Sequence, residues 1–141
     1  MKKIALITGA TSGIGEACAR RFADGGYDLI ITGRRTEKLA TIKEDIEAQG
    51  TKVKTLTFDV RDADAAEAAI NSLEPEWRNV DVLINNAGLA LGLDKEFEGD
   101  PVDWNTMIDT NIKGLLTMTR LIVPGMVKRN EGHVINIGSV A

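Results

Sequence analysis

Three glycines that follow the first apolar run are the residues with the clearest chemical use. Gly9, Gly13 and Gly15 lie in the segment TGATSGIG at residues 8–15, with the spacing G-x-x-x-G-x-G. Glycine permits turns in which a Cβ atom would clash, and it lets the backbone approach a ligand closely. The free amides at the start of the following helix favour a phosphate. The segment therefore predicts a pyrophosphate site, and the alternative is a tight strand–helix turn without a ligand.

Two arginines, Arg34 and Arg35, follow the second apolar run. A carboxylate at this place would accept hydrogen bonds from the ribose hydroxyls of NAD. It would repel a 2′-phosphate, whereas guanidinium groups form charge-assisted, often bidentate, bonds with one. The pair therefore predicts NADP(H) as the cofactor, with the hydroxyls of Thr11 and Ser12 as further donors to that phosphate. The alternative is two solvated surface charges, which is the usual state of basic residues.

These residues need a scaffold of alternating strands and helices, and the hydrophobic pattern predicts one. Short β-branched runs indicate five strands, and helical periodicity indicates four helices between them. This alternation predicts an α/β fold with a doubly wound parallel sheet in the order 3-2-1-4-5. We expect a single NAD(P)-binding domain over residues 1–141. The predicted strands are 3–8, 28–32, 53–58, 80–84 and 134–137, and the predicted helices are 14–24, 37–49, 62–73 and 101–129.

Side-chain periodicity also predicts which helix faces are buried. In the second helix Leu39, Ile42 and Ile46 share a face. The long last helix is expected to have a small break near Gly114. The first helix is expected to bury Ile14, Ala17, Cys18 and Phe22.

Composition narrows the function classes. The chain has 141 residues, 43% apolar and 27% charged, with a net charge of −4, which is typical of one globular domain. The sequence has no stripe of basic residues that would favour nucleic acid as a partner. Its apolar runs are too short to cross a bilayer. The first residues lack the apolar stretch of a signal peptide, so we expect a cytoplasmic protein. A single cysteine, Cys18, and a single histidine, His133, leave little scope for a metal site, and none is expected.

Further motifs follow in a fixed order. The dipeptide DV stands at residues 59–60 after the third strand, NNAG at 85–88 after the fourth, an asparagine at 111 in the long helix, and INIGS at 135–139 in the fifth strand. With the glycine turn, this pattern resembles the short-chain dehydrogenase/reductase family over essentially the whole chain. The resemblance implies a Rossmann-type oxidoreductase with a nicotinamide cofactor.

The resemblance also implies cofactor roles for residues at the predicted strand ends, where open α/β sheets bind ligands. The glycine turn matches the pyrophosphate turn of the family, the DV pair matches residues that hold the adenine ring, and the NNAG segment lies along the cofactor and supports the sheet. The implied cofactor residues are Gly9, Gly13, Gly15 and the backbone of Ile14, then Asp59, Val60, Asn86, Ala87 and Gly88.

Two residues match the catalytic positions of the family. Asn111 corresponds to an asparagine that binds a water in the proton relay, and Ser139 to a serine that hydrogen-bonds the substrate oxygen. The alternatives are a helix asparagine bonded to neighbouring backbone and a turn serine. The family's catalytic tyrosine and lysine would follow beyond Ala141, and Tyr27 lies too early to replace them. We therefore expect an incomplete enzyme, truncated before the last strands and inactive alone. The alternatives are a non-catalytic NADP(H)-binding module and an inactive truncated fragment that retains the fold.

Three segments resemble the NADP-dependent 3-hydroxy acid, or serine-type, dehydrogenases: residues 85–92, 104–111 and 124–130. This resemblance implies hydride transfer between the nicotinamide and a small hydroxy acid or carbonyl substrate. It also implies a homotetramer that uses one face of the long helix. The alternative for that face is that all its apolar residues are simply core.

Overall fold

The computed structural model describes residues 2–88 and 99–138, and within them five strands alternate with helices. The strands are β1 Ile4–Ile7, β2 Asp28–Gly33, β3 Val53–Thr57, β4 Val82–Asn85 and β5 His133–Asn136. The helices are α1 Gly13–Asp24, α2 Thr36–Glu47, α3 Ala63–Asn71, α4 Pro101–Ile108 and α5 Gly114–Arg129, with a short 3₁₀ turn at Pro75–Trp77 and a π-helical segment at Asp109–Lys113.

The strands form one parallel sheet in the order β3-β2-β1-β4-β5, as predicted. Leu6 of β1 pairs with Ile30 on one side and with Leu83 on the other. The direction of winding reverses between β1 and β4, since β2 and β3 lie on one side of β1 while β4 and β5 lie on the other. Open α/β sheets bind their ligands beyond the carboxyl ends of the strands at such a reversal.

Helices cover both faces of the sheet and enclose two apolar clusters. One cluster packs beneath α3 and α5 and includes Leu83 and Met118. The other packs beneath α1 and α2 and includes Leu39, Ile42 and Ile46, which confirms the predicted buried face of α2. Full burial of one such aliphatic side chain contributes about 1.5–3 kcal/mol. Burial on both faces therefore holds the central strands in place, and the predicted site residues follow their carboxyl ends.

The predicted buried face of α1 is wrong at its first turn. Ile14 is 60% exposed and Ala17 is exposed, whereas Gly15 and Ala19 are buried. The helix faces the preceding turn through its smallest residues, because a Cβ at Gly15 would overlap the carbonyl of Gly9. Close backbone packing therefore sets the phase of this helix, and the larger apolar Ile14 points away from it.

The long helix predicted over residues 101–129 consists of α4, the π-helical segment and α5. Asp100 caps its start by accepting a hydrogen bond from Val102 N at 2.9 Å. The break predicted near Gly114 is confirmed, and Gly114 is buried where a Cβ would lie 2.8 Å from Val60 Cγ2. In residues 2–88 and 99–138 no helix is long and apolar enough to cross a bilayer.

Candidate dinucleotide-binding site

A cleft of about 240 Å³ opens at the carboxyl ends of the strands, next to the reversal between β1 and β4. It brings together ten of the residues predicted to bind the cofactor: Gly9, Thr11, Ser12, Arg34, Arg35, Asp59, Val60, Asn86, Ala87 and Gly88. The structure adds Thr32, Gly33, Phe58 and Thr110 to its lining. Loops that lie far apart in the sequence therefore form one continuous surface.

The remaining predicted residues lie beside the cleft or outside the described part of the chain. Gly13, Ile14 and Gly15 form the first turn of α1, which starts directly after Ser12 in the lining. Asn111 lies in the π-helical segment next to Thr110. Ser139 lies outside the described residues.

The glycine turn is tightly packed against the end of β4. Gly9 has a φ of +62°, in the left-handed region that favours glycine. A Cβ there would lie 2.9 Å from Ala87 Cα. A Cβ at Gly15 would come within 2.5 Å of Asn86 Nδ2 as well as overlapping the Gly9 carbonyl. Two of the three predicted glycines are thus needed for the shape of the turn itself.

The start of α1 provides the chemistry that a diphosphate needs. The first helical hydrogen bond runs from Glu16 N to Ser12 O at 2.8 Å, so the amides of residues 13–15 have no partner within the helix. The Ser12 side chain does not cap these amides; its hydroxyl donates to Gly9 O at 2.9 Å and accepts from Asn86 Nδ2 at 3.2 Å. Within the described chain, nothing lies within 4 Å of a Cβ built at Gly13. The residues present therefore fit an anionic group that approaches the helix start.

Sequence reasoning missed Thr8, which connects β1 to β4. The Thr8 hydroxyl accepts hydrogen bonds from Asn86 N and Ala87 N, both at 3.0 Å, and donates to Ile84 O at 3.4 Å. The side chain is nearly inaccessible, with Thr8 1% exposed. Asn86 adds a second link from the end of β4 to the glycine turn, because its Nδ2 donates to Gly9 O at 3.0 Å and to Ser12 Oγ at 3.2 Å. The sequence feature that could have indicated this role is a hydroxyl residue at the end of an apolar strand, directly before a glycine.

Arg34 and Arg35 border the cleft in different ways. Arg35 Nη2 donates to Thr11 Oγ1 at 3.0 Å and to Thr11 O at 3.4 Å, which joins the end of β2 to the glycine turn. The Arg34 side chain is 63% exposed, and its Nη1 lies 3.9 Å from Asp59 Oδ2. Arg34 is therefore the more available of the two guanidinium groups, and Arg35 is partly engaged by the protein.

Asp59, after β3, is held by an arginine that sequence reasoning did not consider. Arg61 donates from its backbone N to Asp59 Oδ1 at 2.9 Å, from Nη2 to Oδ2 at 2.7 Å, and from Nε to both oxygens at 3.1 and 3.0 Å. These hydrogen bonds lower the pKa of Asp59 below its ordinary value, and Arg34 lowers that pKa further. Asp59 is therefore an ionised carboxylate with a fixed orientation.

Asn111 lies beside the cleft, against the NNAG segment. Its Oδ1 is 3.0 Å from the position of a Cβ built at Gly88, so the absence of a side chain at Gly88 permits this approach. Asn111 is exposed and stands in the π-helical segment. Segments of this kind are rare and occur frequently at functional sites. The structure therefore brings the predicted cofactor segment and the predicted relay residue together.

Comparison with known proteins agrees with this geometry. The sequence model of the short chain dehydrogenase family matches residues 3–141. NADP-dependent 3-hydroxy acid dehydrogenase YdfG of Salmonella typhi is 54% identical over 98% of this chain and 54% of its own length. Sulfoacetaldehyde reductase 2 of Chromohalobacter salexigens is 49% identical over 100% of this chain and 56% of its own length. A closed form of serine dehydrogenase complexed with NADP⁺ matches at a TM-score of 0.91 and 50% identity, covering 97% of this chain and 54% of that one.

The chain belongs to the short chain dehydrogenase family, as its motifs predicted. The predicted similarity to NADP-dependent 3-hydroxy acid dehydrogenases is confirmed by the relative from Salmonella typhi. The chain spans about half the length of the relatives it matches.

Proposed function

We propose that this chain forms the cofactor-binding part of an NADP(H)-dependent oxidoreductase. The observation that carries the proposal is the cleft in which the start of α1 and two guanidinium groups after β2 line one surface. Arg34 and Arg35 stand where a carboxylate would serve NAD. A relative that is 54% identical is named NADP-dependent, and a serine dehydrogenase with the same fold was solved with NADP⁺, both of which support this choice of cofactor.

The bound nicotinamide would supply or accept a hydride, and the chain's own residues bind and orient the cofactor. The amides of residues 13–15 bind the diphosphate. Arg34 binds the 2′-phosphate, with Arg35, Thr11 and Ser12 beside it. Asp59 and Val60 hold the adenine ring. Asn86, Ala87 and Gly88 lie along the cofactor towards Asn111.

We assign catalytic roles to Asn111 and Ser139. Asn111 would hold a water on the path of the proton that leaves or reaches the substrate oxygen, and Ser139 would hydrogen-bond that oxygen. Support for Asn111 comes from its contact with Gly88 and from the unusual helical segment that carries it. The assignment of Ser139 depends on the sequence motif alone.

The proposed substrate is a small 3-hydroxy acid of the serine type or the corresponding carbonyl compound. The names of the relatives support this class, since one is named a 3-hydroxy acid dehydrogenase and another a sulfoacetaldehyde reductase. We propose a homotetramer as the assembly. Ile108, Ile112 and Leu116 support it, because they recur every four residues and are 44%, 55% and 59% exposed. Light scattering on the purified protein measures the assembly directly.

Titration with NADPH and NADH, followed by the fluorescence of the reduced nicotinamide, tests the cofactor assignment. NADPH is expected to bind at least tenfold more tightly, because a charge-assisted contact to the 2′-phosphate contributes about 1.5–3 kcal/mol. Arg34→Ala should remove most of this preference while NADH binding stays nearly unchanged. Arg21→Ala, an exposed arginine in the last turn of α1, is the control and should leave both affinities unchanged. Equal binding of the two cofactors by the unaltered protein would overturn the proposal.

A further inference from the structure

Asp59 lies between two arginines that compete for the same carboxylate. Arg61 contacts both oxygens at hydrogen-bond distance, whereas Arg34 Nη1 stays 3.9 Å from Oδ2. The Asp59 side chain is 27% exposed and that of Arg34 63% exposed, so little burial fixes Arg34 in place. The position of the Arg34 guanidinium therefore depends on which charges around it are already paired.

We propose that Arg61 is a positioning residue for cofactor specificity: by occupying the carboxylate of Asp59, it keeps Arg34 available for the 2′-phosphate of NADP(H). This inference rests on the proposed function and extends it to a residue outside the lining of the cleft. Arg61 acts through Asp59 and is not expected to contact the cofactor itself.

The local geometry explains why Arg61 wins the competition for Asp59. The two residues are only two positions apart, and the backbone N of Arg61 already donates to Oδ1, so little chain freedom is lost when the guanidinium joins the same group. The fork of Nε and Nη2 engages both oxygens, which is the strong geometry for an arginine and a carboxylate. Arg34 reaches Asp59 from the end of β2 through a flexible, largely exposed side chain.

Removal of Arg61 would change the partner that Arg34 prefers. The Asp59 oxygens would lose their charge-assisted donors, and Arg34 is the other cation that already faces them. A short movement would bring its guanidinium into a direct ion pair, and the 2′-phosphate would then have to displace that pair. NADH carries no 2′-phosphate, so its affinity would not include this cost. The expected effect is thus a smaller preference for NADPH over NADH and not a general loss of cofactor binding.

The test is a double-mutant cycle on the ratio of NADH to NADPH dissociation constants, measured by fluorescence at fixed salt. Arg61→Ala should lower this ratio about 1.4- to fivefold, the range that a competing exposed ion pair supports. In an Arg34→Ala background the same substitution should change the ratio no further, because the group through which it acts is missing. Asp59→Asn combined with Arg61→Ala should restore the ratio, since an amide does not capture Arg34.

Two controls separate this role from a structural or general charge effect. Arg20→Ala removes an arginine of similar exposure that pairs with Glu16 on α1, and it should leave the ratio unchanged. Arg61→Lys keeps the charge without the fork and should give an intermediate ratio. An unchanged ratio in Arg61→Ala, or an equal fall in the Arg34→Ala background, would refute the inference while leaving the NADP assignment intact. Equal NADH and NADPH binding by the unaltered protein would overturn both.

Discussion

Different forces stabilise two parts of the same cleft, the glycine turn at residues 8–15 and a rim formed by Arg34, Asp59 and Arg61. The turn is joined to β4 by the buried Thr8 hydroxyl and by backbone contacts that exclude a Cβ at Gly9 and Gly15. The rim is joined by ion pairs between exposed or half-exposed side chains of Arg34, Asp59 and Arg61. Loss of one partner of a buried hydrogen bond lowers the unfolding free energy by about 1–3 kcal/mol, whereas an exposed ion pair contributes about 0.2–1 kcal/mol to it. The turn therefore defines the shape of the site, and the rim selects among ligands of that shape.

The largest expected effect comes from Gly15→Ala. Its new Cβ would overlap the Gly9 carbonyl, which is backbone and has little room to move because Gly9 itself packs on Ala87. Unfolding free energy should fall by about 3 kcal/mol, in the upper range for overpacking. Urea denaturation followed by circular dichroism measures this loss.

Gly13→Ala is the matched control for that experiment. Among the described residues nothing lies within 4 Å of its Cβ, and alanine is the better helix former, so stability should stay equal or rise by about 0.5–1 kcal/mol. NADPH affinity should nevertheless fall, since the methyl group would occupy space next to the proposed diphosphate. If both glycine variants lost the same stability, the close packing at Gly15 would not explain the effect.

Thr8→Val should have the next largest effect. Valine keeps the shape of the side chain but leaves the amides of Asn86 and Ala87 without their acceptor. The loss should be about 2 kcal/mol of unfolding free energy, with weaker binding of both NADPH and NADH alike. Thr8→Ser retains the hydroxyl and should recover most of the binding. A valine variant with unaltered affinities would show that this connection does not shape the cleft.

Asp59→Asn should give the smallest effect, and one that depends on pH. The hydrogen bonds from Arg61 hold the pKa of Asp59 below its ordinary value of 3.8, so the ion pair stabilises the fold above that value. This stabilisation is lost as the pH falls through the lowered pKa of the folded state. The difference in urea midpoint between the unaltered protein and the variant should be present near pH 6 and should vanish once the pH lies well below the lowered pKa of the folded state.

Asp24→Asn, at the exposed end of α1, controls for the simple removal of a negative charge. A midpoint difference for Asp59→Asn that stayed constant over the whole pH range would contradict the role given to the ion pair. Because the pair is partly exposed, its contribution at neutral pH should stay below about 1 kcal/mol.

The sheet and most of the cofactor cleft were predictable because local patterns specify them. Short β-branched runs gave the strands to within a few residues at each end, and polar motifs directly after strands necessarily meet at one edge of a parallel sheet. Arg34, Asp59 and Asn86 could therefore be placed together without knowledge of any contact.

Features that depend on packing between segments could not be predicted in the same way. The outward position of Ile14 follows from the close packing of Gly15 on Gly9. The spacing of apolar residues along the helix gives no information about that contact. The role of Thr8 requires the register between β1 and β4, because its partners lie 78 and 79 residues away. The ion pair of Arg61 with Asp59 is local in sequence, but arginine two residues after aspartate is too common a pattern to indicate it.

The π-helical segment Asp109–Lys113 also has a consequence for the evolution of this chain. A π turn has the geometry of an ordinary helix that has gained one residue, since its hydrogen bonds span five residues and not four. Deleting a single residue there would restore a regular helix but rotate everything on one side of it by about 100°. Either Asn111 would turn away from Gly88 or α5 would lose its fit to the sheet. Length variation should therefore be tolerated far less in these five residues than in the loops that join the strands.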